Sequence, residues 1–427
     1  MEKLSYDIGP RPPASEAMGQ AQIILGDMLR DFGADNIHTE PVSLLAWHDA
    51  PSQVQLLLPR QRSIESIQHV NTAAGDVTAD LLDAGVASNE SEACLGKQIE
   101  GKIVLLNGHE ISGTKYIPLQ IRIRQFVGCG AVAIIIRNQY PLACPAIELC
   151  GITKDMPVPV VGISFEDAEQ LSALSRREQV KLRIQTAGKS EPAECTNLVA
   201  DLGPSQPPDE TIVLSAHLDT FHVNAGSLDN LTGVVTLMEM VQALAGLRRD
   251  FERALRLIIF TGEEYGFLGS KSYVERHADQ LDCIRFVFNM DTLFDSTAEG
   301  VAVMWSPAMR DYIDRAFQQT QCQVDVRNLF CMSSDYLPFM LAGVPTARPA
   351  HLNKVEFPPW SHTRLDTPDK ITTQSLHRNA MAFSLMLLRM LTDPQSLPAE
   401  RLSPNKVREL LAKEDVVEAL RVYNFEV

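Results

Sequence analysis

The chain has 427 residues, enough for two or three domains. Apolar residues make up 45% and charged residues 22%, which excludes a largely disordered chain and supplies apolar surface for more than one core. A formal charge of −16, with no long run of one sign, argues against nucleic acid and anionic membrane surfaces as partners.

The N-terminus, MEKLSYDIGPRPP, has neither the apolar stretch nor the small-residue cleavage site of a secretory signal. The expected location is therefore the cytoplasm, with a secreted protein that has lost its leader as the alternative. No stretch approaches the ~18–20 consecutive apolar residues of a membrane span. Residues 15–34 predict an amphipathic helix, with Ser15 as N-cap and Gly33 as its stop. Near Trp47 the texture changes to short Val- and Ile-rich runs between turns: VQLLLP, GKIVLLNG, GAVAIIIRN, VPVVGIS and VKLRIQT. These predict strands, interleaved with helices at LQIRIRQFVGCG and FEDAEQLSAL. The segment KSEPAECTN predicts a linker. From Asn197 strands and helices alternate: TIVLSAH, then a helix over 230–246, ALRLIIFTG, a helix from GFLGSKSY, CIRFVFNMD, a helix from MRDYIDRAF, GVPTARP, and a long helix from LHRNAMAF. That alternation predicts an α/β domain with a mostly parallel central sheet. A helical tail closes the chain. The eight cysteines are irregularly spaced and read as plain thiols.

In open α/β sheets, sites form beyond the carboxyl ends of the strands. Three predicted strands end in metal-capable groups. His217 and Asp219 alternate by two, so on an extended segment both face one side. Asp219 could then hold the second ring nitrogen of a metal-bound His217. Asp229 follows a loop that Gly226 lets turn tightly. It is either a helix cap or a ligand. Glu263 and Glu264 follow the second strand. One could bind metal and the other act as general base, or both could simply favour a helix start. Asp291 ends the third strand, and His362 lies in the polar loop SHTRLDTPDK. His222, His277, His351 and His377 read as surface or core residues. Each signal has a bland alternative, but two histidines and three carboxylates together suit zinc. One carboxylate could bridge two ions.

With those residues in place, the sequence resembles the zinc-dependent aminopeptidases with two co-catalytic ions. That family includes bacterial leucyl aminopeptidase, glutamate carboxypeptidase and glutaminyl cyclase. The matching pieces are HLD (217–219), GSLDN (226–230), TGEEYGFLGS (261–270), NMD (289–291), SSDYLPFMLAGVP (333–345) and HTRLDT (362–367), with IGPRPPASEA (8–17) resembling the N-terminal signature. The resemblance implies a phosphorylase/hydrolase-like three-layer α/β sandwich with a mixed, mostly parallel sheet. It implies two Zn2+ per chain: His217 and Asp291 on one, Glu264 and His362 on the other, and Asp229 between them. Glu263 would be the general base for the water between the ions, and Asp219 would orient His217. Residues 48–190 resemble a β-rich protease-associated domain inserted into a catalytic domain formed by 1–47 and 191–393, with 394–427 as the tail.

The activity expected from the resemblance is removal of N-terminal residues from short peptides. A carboxypeptidase or small-molecule deacylase would use the same ions, and a carboxypeptidase needs a cation such as Arg348 or Arg364 for the substrate carboxylate. A non-catalytic binding protein on the same fold is the rival of another class. The expected partner is a peptide or small amide, with no nucleic acid and no membrane span. The tail is a candidate oligomer element.

Overall fold

The computed structural model describes residues 1–85, 98–108, 111–112, 115–116, 118–152, 156–203, 209–293, 300–350 and 358–426. The chain forms two compact units. The first comprises residues 1–44, 194–358 and 366–415, and the second comprises 45–193, 359–365 and 416–427.

One eight-stranded sheet is built from β1 (Asp35–His48), β2 (Lys189–Leu202), β3 (Thr211–His217), β4 (Ala254–Phe260), β5 (Ile284–Asn289), β6 (Gly300–Met304), β7 (Val326–Asn328) and β8 (Thr346–Ala350). Their order across the sheet is β1-β2-β4-β3-β5-β8-β6-β7. The four central strands β4, β3, β5 and β8 are parallel. β2 runs against β4, and β6 against β8, so the sheet is mixed and mostly parallel, as expected. Side chains alternate across it. Ile212, Leu214 and Ala216 join a core with the helices Glu16–Asp31, Leu231–Ala245, Pro307–Gln319 and Thr373–Thr392. Val213 joins the opposite core with Tyr273 and Phe339, from the helices Leu268–Arg276 and Tyr336–Leu341. Burial on both faces explains why these strands read as continuous apolar runs. Ser15 caps the first helix, accepting the Met18 N–H at 3.1 Å.

In the second unit another eight strands are ordered Arg62–Ile64, Gln53–Leu58, Lys181–Thr186, Gly75–Gly85, Ile103–Asn107, Ala133–Arg137, Val160–Ile163 and Ser66–Gln68. The four strands from Gly75–Gly85 to Val160–Ile163 are parallel, and the remaining pairs are antiparallel. Here too the strands alternate. Leu105 and Ile135 pack with Ala168 and Leu171 of the helix Phe165–Ser175, and Leu106 and Ile134 with Ile123 and Phe126 of the helix Leu119–Gly128.

The predicted linker KSEPAECTN is not a linker. It forms the first part of β2, whose neighbour is β1. Its exposed charged start hides the strand signal, but pairing overrides propensity once Cys195 is buried. β1 itself went unread for the same reason, because five of its first six residues are not buried. The last two helices are Pro404–Glu414, in the first unit, and Val417–Val422, in the second. Among the described residues all seven cysteines are free thiols; Cys94 lies outside them. No described helix is long and apolar enough to cross a membrane.

Candidate metal centre

Because β3 lies between β4 and β5, the three strand ends that carry the predicted ligands are neighbours. His217 is the last residue of β3 and is 1% exposed. Its Nε2 lies 3.2 Å from Asp229 Oδ1, 3.5 Å from Asp291 Oδ1 and 3.9 Å from Glu263 Oε2. His217, Glu263 and Asp291 place one donor atom each within 4.8 Å of one another. Three of the predicted carboxylates thus converge on one ring nitrogen of His217.

The cap role considered for Asp229 falls instead to its neighbour. Asn230 caps the helix Leu231–Ala245, accepting the Gly233 N–H at 3.0 Å. The same oxygen accepts the Thr292 N–H at 3.0 Å, and the Asn230 amide donates to Met290 O at 2.9 Å. Asn230 therefore ties this loop to the end of β5 and leaves the Asp229 carboxylate for other work. Asp366, fully buried, accepts the Leu228 and Asp229 N–H groups at 2.7 and 3.1 Å. Gly226 has φ +59°, and a Cβ there would sit 2.2 Å from Thr220 Cγ2, so no larger residue fits the turn.

Asp219 does something other than expected. Its carboxylate is 3.8 Å from His217 Nδ1, beyond hydrogen-bond range, and that nitrogen lies closer to the Asp219 main-chain oxygen, at 3.2 Å. The two carboxylate oxygens instead accept the N–H groups of Glu263 and Glu264, each at 3.2 Å. Asp219 thereby fixes the turn that carries both glutamates. The helix-start alternative for that pair fails, since the helix begins only at Leu268.

Electrostatics mark the cluster as incomplete on its own. Burial alone would lower the His217 pKa, yet Glu263, Asp229 and Asp291 together raise it well above its ordinary value. Burial pushes the Glu263 carboxyl well above the usual range, helped by Asp291, Glu264 and Asp335. Asp335, fully buried on the segment SSDYLPF, is pushed up to about 8, mainly by burial. Holding an ion in such surroundings costs several kcal/mol unless opposite charge compensates. Imidazole nitrogen plus carboxylate oxygens is a donor set suited to zinc, so the residues present fit the implied ions.

Sequence reading missed Asn230, Asp366, Asp335 and Arg11. The Arg11 guanidinium is fully buried and donates to the carbonyls of Leu4, Gly9, Leu218 and Ala225 at 2.7–3.1 Å. It staples the IGPRP segment to the loop after β3. Only that segment's likeness to the family signature hinted at a role. Glu264 is 6% exposed. His362 belongs to the second unit, where its Nδ1 lies 3.3 Å from Glu148 Oε1. Arg348 is buried, donating to Ser333 Oγ at 2.7 Å, Pro349 O at 3.0 Å and Asp291 O at 3.2 Å. Arg364 pairs with Glu65 in the second unit. His277 pairs with Glu40 and lies tilted against the Tyr273 ring, His377 pairs with Glu239 on the surface, and His222 is half-buried. His351 lies outside the described residues.

Residues 197–387 match the model of peptidase family M28. The match covers the part of the chain that carries β3, β4, β5 and their strand ends. Carboxypeptidase Q of Xenopus laevis is 27% identical over 356 residues, covering 80% of this chain and 74% of that protein. The bovine carboxypeptidase Q is 29% identical, covering 63% of this chain and 59% of its own length. Aminopeptidase YwaD of Bacillus subtilis is 25% identical, covering 88% and 80%. Among solved structures, a peptidase M28 precursor from Shewanella amazonensis superposes with a TM-score of 0.81 at 21% identity, covering 94% of each chain. BSAP, a zinc aminopeptidase from Bacillus subtilis, gives 0.72 at 21%, covering 94% and 96%. The shared fold is the mixed α/β sandwich.

Proposed function

We propose that this chain is a di-zinc exopeptidase, an aminopeptidase acting on short peptides, with His217, Asp229, Glu264, Asp291 and His362 as the zinc ligands. The observation that carries the reading is the buried convergence of Asp229, Asp291 and Glu263 on His217 Nε2. His217 and Asp291 would hold one ion, Glu264 and His362 the other, and Asp229 both. Bound zinc would polarise the scissile carbonyl and lower the pKa of an attacking water. Glu263 takes the proton of that water and passes it to the leaving amine nitrogen. Burial raises its pKa, which favours taking up that proton. Asp219 keeps Glu263 and Glu264 in register through their N–H groups.

Aminopeptidase is favoured over carboxypeptidase by how the candidate anchors for a substrate carboxylate are held. The two arginines considered as carboxylate anchors are engaged elsewhere, Arg348 by Ser333, Pro349 and Asp291, and Arg364 by Glu65. Residues 48–190 are proposed as a protease-associated domain that restricts access to small substrates. A panel of short peptides with free and with acetylated N-termini tests the assignment. Release of the first residue from the free-amine forms alone is expected. Trimming of acetylated peptides from their C-termini would replace it with the carboxypeptidase reading.

A further inference from the structure

The second unit holds a carboxylate, Glu148, beside the candidate ligand His362. Glu148 sits on a loop whose backbone is fixed from both sides. Its N–H donates to His69 Nδ1 at 2.8 Å, and its carbonyl accepts the Val70 N–H at 3.1 Å. His69 is fully buried and acts as an acceptor there, and burial lowers its pKa to about 4. With its backbone held, Glu148 presents its side chain to His362. Oε1 lies 3.3 Å from Nδ1 of that ring. The neighbouring residue holds the same segment, Ile147 N–H donating to His362 O at 2.9 Å. His362 itself has φ +57°, an unusual backbone for a histidine, and the turn around it is closed by Thr363 bonding to Trp360 O.

We propose that Glu148 is a positioning residue for zinc binding at His362. By accepting the Nδ1–H it fixes the ring tautomer that leaves Nε2 as a lone-pair donor, and it makes that nitrogen a better one. Histidines that bind metal almost always give their other ring N–H to such a partner, and losing the partner typically lowers metal affinity about 10–100-fold. Glu148 lies outside residues 197–387, so the chain's match to the peptidase family does not contain it. A region read as a substrate-restricting insert would thereby also tune the metal. The inference rests on the assignment of His362 as a ligand.

The test is zinc affinity of the full chain, measured by competition with a chromophoric chelator. It compares wild type with Glu148→Ala, Glu148→Leu, Glu148→Gln and His362→Ala, alongside the melting temperature of each metal-free protein. Glutamine keeps an oxygen acceptor, whereas leucine fills a similar volume without one. The expected result is that Ala and Leu each weaken one of two zinc ions about 10–100-fold, and that Gln recovers most of the loss. Metal-free melting should follow a different order from zinc affinity. Wild-type affinity in both Ala and Leu would overturn the proposal, as would a loss that Gln does not reduce. Two ions bound at full affinity by His362→Ala would instead overturn the ligand assignment beneath it.

Discussion

Both units carry the same device, four parallel strands flanked by antiparallel ones, yet the strand ends differ in kind. In the first, the ends of β3, β4 and β5 lead into His217, Glu263 and Asp291, a buried histidine, a half-buried glutamate and a buried aspartate that crowd one another. In the second, the ends are closed by hydrogen bonds to main-chain carbonyls. Asn138 donates to Cys144 O at 2.9 Å, and its backbone N–H to Ile163 O at 3.0 Å. Arg122 caps the carbonyls of Asn107 and Gly108. The fully buried His69 there is kept neutral. Parallel topology therefore makes a place for a site in both units, and in the first unit acids and a histidine crowd that place.

The sharpest way to break this contrast is to remove the base without removing ligands. Glu263→Gln should bind zinc as the wild type does and lose peptide hydrolysis by ~10²–10⁴-fold. Metal analysis beside steady-state rates decides it, and a near-normal rate would end the base assignment. Asp229→Ala should fail earlier, at zinc occupancy itself. A full complement of zinc in that variant would remove Asp229 from between the ions.

The next effect belongs to the neutral half of the comparison. His69 has a folded-state pKa near 4, below the ordinary histidine value of about 6.5. Its depressed pKa has no effect on stability above pH ~6.5. As pH falls through the window from ~6.5 to ~4, the unfolded chain takes up the proton first. Linkage then gives a loss of about 3 kcal/mol. Denaturant melts across that window should show His69→Gln losing less stability on acidification than the wild type. Parallel curves would mean the ring is not held neutral. Smallest are the helix caps, one from each unit. Ser15→Ala and Ser164→Ala remove acceptors for the Met18 and Asp167 N–H groups. Each should cost ~1 kcal/mol in a chemical melt with zinc affinity unchanged. Altered zinc binding in either would show that the caps and the centre are coupled.

The buried strands and the long helices were legible because burial on both faces leaves a continuous apolar run, as in Thr211–His217 and Ile284–Asn289. The site was legible where a ligand type sits at a strand end. What stayed hidden depended on contacts between residues far apart in the chain. Asn230 looked no more like a cap than Asp229 until Met290 and Thr292 were beside it. Asp366 was one polar residue in a polar loop until it met the Leu228 and Asp229 N–H groups. Asp219 was expected to orient the His217 ring from its spacing of two, but the turn at Glu263 and Glu264 holds its carboxylate. β2 was hidden because its exposed start carries Lys189, Glu191 and Glu194, charges that resemble a linker.

The central claim is that the acids gathered around His217 exist to hold metal. Zinc titration of the chelator-stripped chain by calorimetry tests it most directly. Two equivalents per chain should bind saturably, with proton release as the buried acids and His217 give up their protons to the ions. Absence of saturable zinc binding in a folded chain would contradict it.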